Sequence, residues 1–272
     1  MKFDLRNDAL SRKMIVAHRG VWGGNIPGNT PASFEAALMQ GADMIELDVS
    51  ITRDGELFVF HPGMEPTFLK SSTLLRDMTA CEARKLRYHN GDGTPTQFPI
   101  STFDEVLEQL KGRCYINVDK FLDNPDPISR AIRRHNMMDQ VLVKSKPSEE
   151  VTRTLEALAP DVSYMLILRD KDDATDAILK RNVNYVGAEV LFTTEDSELA
   201  TTEYIHRMHE KNLLVWVNSI VYNYQDVLAA GHNDDISVAG NPDAGWGWLL
   251  DKGYDMIQTD WPVMLRQYMA QR

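Results

Sequence analysis

The chain has 272 residues, 43% of them hydrophobic and 25% charged. That is ordinary globular composition with length enough to bury a large core, and it excludes a disordered, collagen-like or coiled-coil chain. Forty acidic against 29 basic side chains give a formal charge of -11, a sign that repels nucleic-acid backbones. The two cysteines, Cys81 and Cys114, are too few for a disulfide framework and lack the spacing of a zinc or redox pair, so they read as buried thiols. Residues 1–13 are polar and lack the apolar stretch of a secretory signal, and no apolar run approaches the roughly 20 residues of a bilayer span. The expected location is the cytoplasm.

Short apolar runs alternate with helical stretches, the pattern of an α/β fold built on a mainly parallel sheet. In chain order, residues 14–18, 44–49, 57–61, 115–119, 141–145, 164–168, 185–190, 213–218 and 256–259 read as strands. Several are apolar throughout and end in a polar residue, as strands covered on both faces do when their C-terminal ends open onto a site. After the first strand, Thr30 caps a helix with Pro31 at its start, Phe34, Ala37 and Leu38 form its apolar stripe, and Gly41 stops it. Too few residues separate Val49 from Leu57 for a helical crossover, and Asp54-Gly55 is a turn pair, so a hairpin or an irregular barrel turn belongs there. Residues 62–100 are long and poorly patterned, with Asn90-Gly91 and Asp92-Gly93 near their end, and read as an insertion covering the substrate. Thr102 and Glu105 then have capping-box spacing ahead of Phe103, Val106, Leu107 and Leu110, which fall at i, i+3, i+4 and i+7. No linker, repeat or low-complexity tract divides the chain, so residues 1–272 read as one domain.

Polar residues at the strand ends carry the chemistry. His18, Arg19 and Gly20 follow the first apolar run: an imidazole that exchanges protons near neutrality, a guanidinium that can clamp an oxyanion, and a glycine that permits the turn exposing both. Taken alone, a strand-end histidine bonded to a neighbouring carbonyl is the plainer reading. Glu46 and Asp48, two apart on a strand, project to one face. Two ionised carboxylates side by side repel each other unless a cation joins them, and an oxygen-only donor set suits Mg²⁺ or Ca²⁺. Apolar Met44, Ile45 and Val49 put the pair on a buried strand and not on an exposed edge. His61 and Asp119 end the next two runs, and if these strands are neighbours His18, Glu46, Asp48, His61 and Asp119 converge on one mouth. His89, His135, His206, His209 and His232 fall in helices or loops and read as solvent-facing. His206 and His209 have i, i+3 spacing with no third ligand nearby.

Several segments together resemble the glycerophosphodiester phosphodiesterase family. They are His18-Arg19-Gly20, Pro27-Gly28-Asn29-Thr30 with Ser33-Phe34-Glu35-Ala36-Ala37, the run from Gly41 through Glu46-Leu47-Asp48-Val49, Thr52-Arg53-Asp54-Gly55, and Val59-Phe60-His61. The likeness continues more loosely through Leu75-Arg76-Asp77-Met78-Thr79, the stretch from Phe98 to Leu107, and Gly253-Tyr254-Asp255 to Asp260-Trp261-Pro262, and is weakest in the middle third. It implies a TIM-like (β/α)8 barrel with a small segment inserted after the third strand, hydrolysing phosphodiesters with a divalent metal. Carried over by motif, His18 and His61 become the acid/base pair, Arg19 a phosphate ligand, and Glu46, Asp48 and Asp119 the metal ligands. Three departures stand out: Gly28 where the family usually has Glu, Pro62 after His61 in place of the usual Asp, and Lys120 directly adjoining Asp119.

The expected activity is therefore hydrolysis of a small-molecule glycerophosphodiester to an alcohol and glycerol phosphate, by water or through a cyclic phosphate formed by a neighbouring substrate hydroxyl. Lys120 and Lys144 could add positive charge around the phosphate, although salt-bridged structural lysines are nearly as good a reading. Trp216, Asn218 and Trp261 could wall the alcohol part. A sugar-phosphate or lysophospholipid diester is the alternative substrate within this chemistry. A glycosidase would leave the two histidines without work, since carboxylates two apart on one strand face do not straddle a glycosidic bond. A non-catalytic phosphate-binding barrel would need no proton donor and acceptor.

Overall fold

A computed structural model describes residues 3–272; Met1 and Lys2, the start of the polar N-terminal stretch, lie outside the described residues. In chain order the strands are β1 (Met14–His18), β2 (Met44–Ile51), β3 (Leu57–Val59), β4 (Arg87–His89), β5 (Pro95–Pro99), β6 (Tyr115–Asp119), β7 (Val141–Ser145), β8 (Ser163–Arg169), β9 (Asn184–Leu191), β10 (Leu214–Asn218) and β11 (Met256–Thr259). Eight of them pair in parallel in the order β1-β2-β6-β7-β8-β9-β10-β11, and β11 pairs back onto β1. With helices between the strands, the fold is an α/β barrel of the TIM type.

Alternation along each strand divides the core. Met14, Val16, Met44, Tyr115, Leu142, Met165, Leu214, Trp216 and Met256 form an interior layer, while the opposite parity, including Ile15, Ala17, Ile45, Leu47, Ile116 and Val118, packs in the larger outer cluster with residues of the helices. A helix the sequence reading did not anticipate, Leu5–Ser11, is capped by Asp4 and buries Leu5 and Ala9 against the interior layer. The two helices expected from capping signals form as Pro31–Met39 and Phe103–Leu110, each with a reciprocal capping box, Thr30 with Ser33 and Thr102 with Glu105. Cys114 is buried as expected, but Cys81 is exposed, because it opens onto solvent from a four-residue helix, Ala80–Ala83.

The run at 57–61 makes the hairpin that the short connection called for, with its strand ending at Val59 and not at His61, and this matters for the site. It is not a barrel stave: β3 stops at Val59 and pairs antiparallel with the end of β2, Val49 opposite Val59. The short connection allows nothing else, and Gly55 takes the left-handed conformation (φ 89°) that the turn requires. The Phe60 amide donates to the Asp48 carbonyl at 2.9 Å, so the hairpin returns His61 to the C-terminal end of β2. From there the chain forms short helical turns and the β4–β5 hairpin, packed around a separate apolar cluster of Phe58, Phe60, Leu69, Leu75, Met78 and Tyr88 with Ala83 and Ile100. No helix among the described residues is long and apolar enough to cross a membrane.

The pairing of β9 with its neighbours includes a tight backbone approach. Tyr185 and Gly187 of β9 pair with the consecutive residues Tyr164 and Met165 of β8, a bulge, and a Cβ at Gly187 would lie 2.1 Å from the Leu214 carbonyl oxygen of β10. Backbone cannot yield as a flexible side chain can. Gly187→Ala is therefore expected to destabilise the fold by about 3 kcal/mol, read as a lower urea midpoint at unchanged m-value.

Candidate active site at the barrel mouth

Strand register assembles the polar cluster. His18 lies opposite Glu46 across β1–β2, Glu46 opposite Asn117 and Asp48 opposite Asp119 across β2–β6, all on the inward parity at the C-terminal ends. Glu46, Asp48 and Asp119 each offer a carboxylate oxygen, and these atoms lie within 4.8 Å of one another. Glu46 and Asp48 are almost fully buried. Burial and the charges of Asp48 and Asp119 push the Glu46 carboxyl up to about 7. Burial alone would raise Asp119 too, but the ammonium groups of Lys120 and Lys144 outweigh it and hold that carboxyl below its ordinary value. Asp48 Oδ1 is buried without a hydrogen-bond partner. A buried orphan oxygen within an all-oxygen donor set fits a hard divalent cation, and the three carboxylates could hold one.

The loop after β1 supplies the counter-charge. The Arg19 amide donates to Glu46 Oε2 at 3.0 Å, and Arg19 Nε lies 3.0 Å from Asp48 Oδ2. Arg19 sits at φ 56° and Asn29 at φ 58°, conformations that cost an arginine more than an asparagine. They are held by the Asn29 amide, which donates to the Arg19 carbonyl at 2.9 Å, and by Ser33 Oγ, which donates to the same carbonyl at 3.0 Å. Asn29 then reads Asp48 twice, donating from Nδ2 to Oδ2 at 2.8 Å and accepting from its amide at 3.2 Å.

Each imidazole is oriented through Nδ1. His18, buried in the barrel, places Nδ1 3.0 Å from Asp260 Oδ1, and His61 places Nδ1 2.9 Å from the Pro62 carbonyl. A carboxylate and a carbonyl can only accept, so Nδ1 carries the proton in both rings and each Nε2 is left for other partners. His61 Nε2 lies 3.9 Å from Asp48 Oδ1. Burial alone would lower the His18 imidazolium, but the Asp260 hydrogen bond and the Glu46 charge outweigh it and raise it. Asp260 is fixed in turn by Asp234, which accepts the Asp260 amide at 2.9 Å and, through its other oxygen, Ser219, Trp246 and Thr259. The Tyr222 and His18 rings meet in a T-shaped contact, 5.7 Å between centroids.

The outer residues of the cluster are mostly committed to one another. Lys120 donates to Asp119 at 2.7 Å. Lys144 Nζ lies 2.6 Å from Glu189 and 3.8 Å above the Trp216 ring, while Asn218 donates to Glu189 and accepts from Trp216 Nε1. Trp216 has no exposed surface, so its ring cannot wall a substrate; it lies beneath Lys144 because its inward parity continues the interior layer. Trp261 is nearly half exposed just after β11. Two other histidines are less solvent-facing than their helices and loops suggest: His135 is buried between Asp104 and Glu108, and His232 stacks on Trp248. His209 bonds Asp255. Sequence reasoning missed Asn29, Asp260, Asp234 and Tyr222 as parts of the cluster. Asn29 and Asp260 lay inside quoted motifs, whereas nothing local marked the other two.

The profile of a domain of unknown function matches residues 164–269. Over 178 residues the chain is 30% identical to a glycerophosphodiester phosphodiesterase of Bacillus altitudinis, a match covering 61% of this chain and 71% of that protein. The fold is similar to that of a glycerophosphoryl diester phosphodiesterase from Parabacteroides distasonis, with a TM-score of 0.78 at 17% identity over 100% of this chain and 93% of the other. It is also similar to an Oleispira antarctica phosphodiesterase solved in complex with the product sn-glycerol-3-phosphate, with a TM-score of 0.67 at 17% identity over 96% and 99% of the two chains. The chain belongs to the glycerophosphodiester phosphodiesterase family, whose members are phosphoric diester hydrolases.

Proposed function

We propose that the protein hydrolyses a glycerophosphodiester to an alcohol and glycerol phosphate, with His18 and His61 as the acid–base pair and Glu46, Asp48 and Asp119 holding a divalent cation. The observation that carries this reading is the pair of imidazoles, each with Nδ1 already engaged, bordering a carboxylate trio in which Glu46 and Asp48 are buried and Asp48 holds an orphan oxygen. The Oleispira antarctica phosphodiesterase with its bound sn-glycerol-3-phosphate supports glycerol phosphate as the product here.

The residues divide the work by their partners. Arg19 has its Nε beside Asp48 and directs its remaining donors to a nonbridging phosphoryl oxygen. His18 Nε2 takes the proton of the attacking hydroxyl, and the Asp260 carboxylate stabilises the imidazolium that results. His61, protonated, gives its Nε2 proton to the departing alcohol oxygen as the phosphorus–oxygen bond breaks. Mg²⁺ or Ca²⁺ on the trio would supply positive charge where negative charge grows on the phosphoryl oxygens. Lys120, Asp119, Lys144 and Glu189, in that order, form a chain of alternating charge that keeps the rim of the mouth fixed.

Four outcomes test this. His18→Ala and His61→Ala are each expected to lower kcat on a glycerophosphodiester by roughly 10²- to 10⁴-fold with circular dichroism unchanged; full activity in both ends the acid–base assignment. Chelation is expected to abolish turnover and Mg²⁺ or Ca²⁺ to restore it. In the metal-free protein Glu46→Gln is expected to relieve repulsion and stabilise by about 1 kcal/mol, while the rise in Tm expected when metal is added to the wild-type chain disappears. Asp260→Asn keeps an acceptor for His18 but removes its charge, so kcat should fall about 10- to 100-fold with KM held; an unchanged kcat would leave Asp260 a purely structural role.

A further inference from the structure

The exposed aromatic side chains among the described residues, Trp22, Tyr222, Tyr224 and Trp261, lie in the loops that follow β1, β10 and β11. These strands are neighbours in the barrel, so the rings occupy one arc of its mouth. Tyr222 is the member of the arc that meets the His18 ring. Its loop is pinned at both ends. The Ser219 amide donates to the Gln258 carbonyl at 2.8 Å, and the Phe192 amide, just beyond β9, donates to the Leu228 carbonyl at 2.9 Å. Immediately past Tyr222, Asn223 Oδ1 accepts the amides of Gln225 and Asp226, an Asx turn that folds the loop back.

The Tyr222 hydroxyl has no hydrogen-bond partner among the described residues. The chain has nine tyrosines, and each of the other eight hydroxyls has one. A tyrosine hydroxyl ordinarily finds such a partner, and the one without it stands beside His18. Burial, then the charges of Glu189, Glu46 and Asp119, raise the phenol above its ordinary value, and Arg19 opposes them. The group therefore keeps its proton and is a neutral donor, in the field of the trio and of Arg19 at once. The side chain is 54% exposed, so burial acts on its inner part and the rest stays open to a ligand.

Resting on the proposed function, we infer that Tyr222 is a further catalytic residue, whose hydroxyl donates to a nonbridging phosphoryl oxygen of the substrate. It does so from the β10 side of the mouth, while Arg19 donates from the loop after β1. A neutral donor suits this place. A further cation would join the ion pairs around Glu46 and Glu189, whereas a phenol has no charge to draw it there and stays free for an oxyanion that arrives with the substrate. The departing alcohol has its own room on the other flank. A cavity of about 330 Å³, with Phe60, Phe68 and Tyr88 in its wall, lies beside His61 between the loop after β1 and the segment after β3, and Tyr222 does not line it.

The test compares Tyr222→Phe with the wild-type chain on glycerophosphocholine and glycerophosphoethanolamine in Mg²⁺ or Ca²⁺. Phenylalanine keeps the ring against His18 and removes only the donor. The variant is expected to lose about 10- to 100-fold in kcat/KM on both diesters, with Tm unchanged because the hydroxyl bonds no protein group. Calorimetry is expected to show sn-glycerol-3-phosphate bound about tenfold more weakly, and both limbs of the pH–rate profile should stay in place. Wild-type kcat/KM together with wild-type product affinity overturns the inference while the hydrolase reading stands. So does a loss of activity that comes with a displaced pH limb or a lower Tm, since the phenol would then act by tuning His18 or by supporting the loop. A wild-type chain that cleaves neither diester overturns the hydrolase reading, and the inference with it.

Discussion

Three carboxylates forced together at the end of β2 and β6 set the problem that the rest of the site answers. With oxygens within 4.8 Å, each ionised pair would repel by roughly 3 kcal/mol at the effective dielectric of a partly buried site. The chain offsets this unevenly. Asp119 is paired to Lys120 and lies in the field of Lys144, and Asp48 takes Arg19 and Asn29, whereas Glu46 receives only a backbone amide and is the carboxyl that titrates near 7. The trio is therefore one positive charge short, and Asp48 Oδ1 is its unpartnered atom. A cation is the simplest completion of that set, and the left-handed backbone at Arg19 and Asn29 is the local strain that keeps the fixed part of the counter-charge in place.

Barrel register makes the crowding unavoidable. Once β1, β2 and β6 are neighbours in parallel, inward parity carries His18 and Glu46 to one level and Asp48 and Asp119 to the next, at the same end of the barrel whatever the helices do outside. His61 reaches the same place by another route, an antiparallel return that hydrogen-bonds to β2 itself. One imidazole is thus anchored in the closed barrel, while the other hangs on a hairpin that also begins the segment packed around Phe58 and Phe60. A change of packing among Phe58, Phe60 and Tyr88 would move His61 and the cavity wall together and leave His18 where it is.

What could be read from the sequence was whatever depends on near neighbours along the chain. Period-two alternation puts Glu46 and Asp48 on one face, Asp54-Gly55 marks the turn, and the boxes at Thr30 and Thr102 mark helix starts; each is decided within a few residues. Partnership across the barrel was not legible. Asp260 meets His18 across 242 positions because β11 closes onto β1, and a buried aspartate such as Asp234 has no signature when its four donors come from three separate segments. The β4–β5 hairpin escaped because Pro95 and Pro99 argue against a strand, although the turn chemistry at Asn90 was visible. The helix Leu5–Ser11 is too short for a period to show, and only its two buried residues, Leu5 and Ala9, reveal its face. Trp216 was read by its polar neighbour at the strand end, when its own parity places it with the interior layer.

Asp234 links this closure to the chemistry. Its two oxygens gather Ser219 after β10, Thr259 at the end of β11, Trp246 from the connection between them, and the amide of Asp260. Burial raises this carboxyl despite those donors, so its ionised form is held in place mainly by their geometry. The consequence is directional. Loss of order in the segment between β10 and β11 would release Asp260 first, then the His18 ring, while the carboxylate trio on β2 and β6 and the Arg19 loop stayed assembled. A barrel of this kind can therefore keep the carboxylate trio assembled and lose the orientation of His18, and that separation follows from the trio and Asp260 lying on opposite sides of the β1 seam.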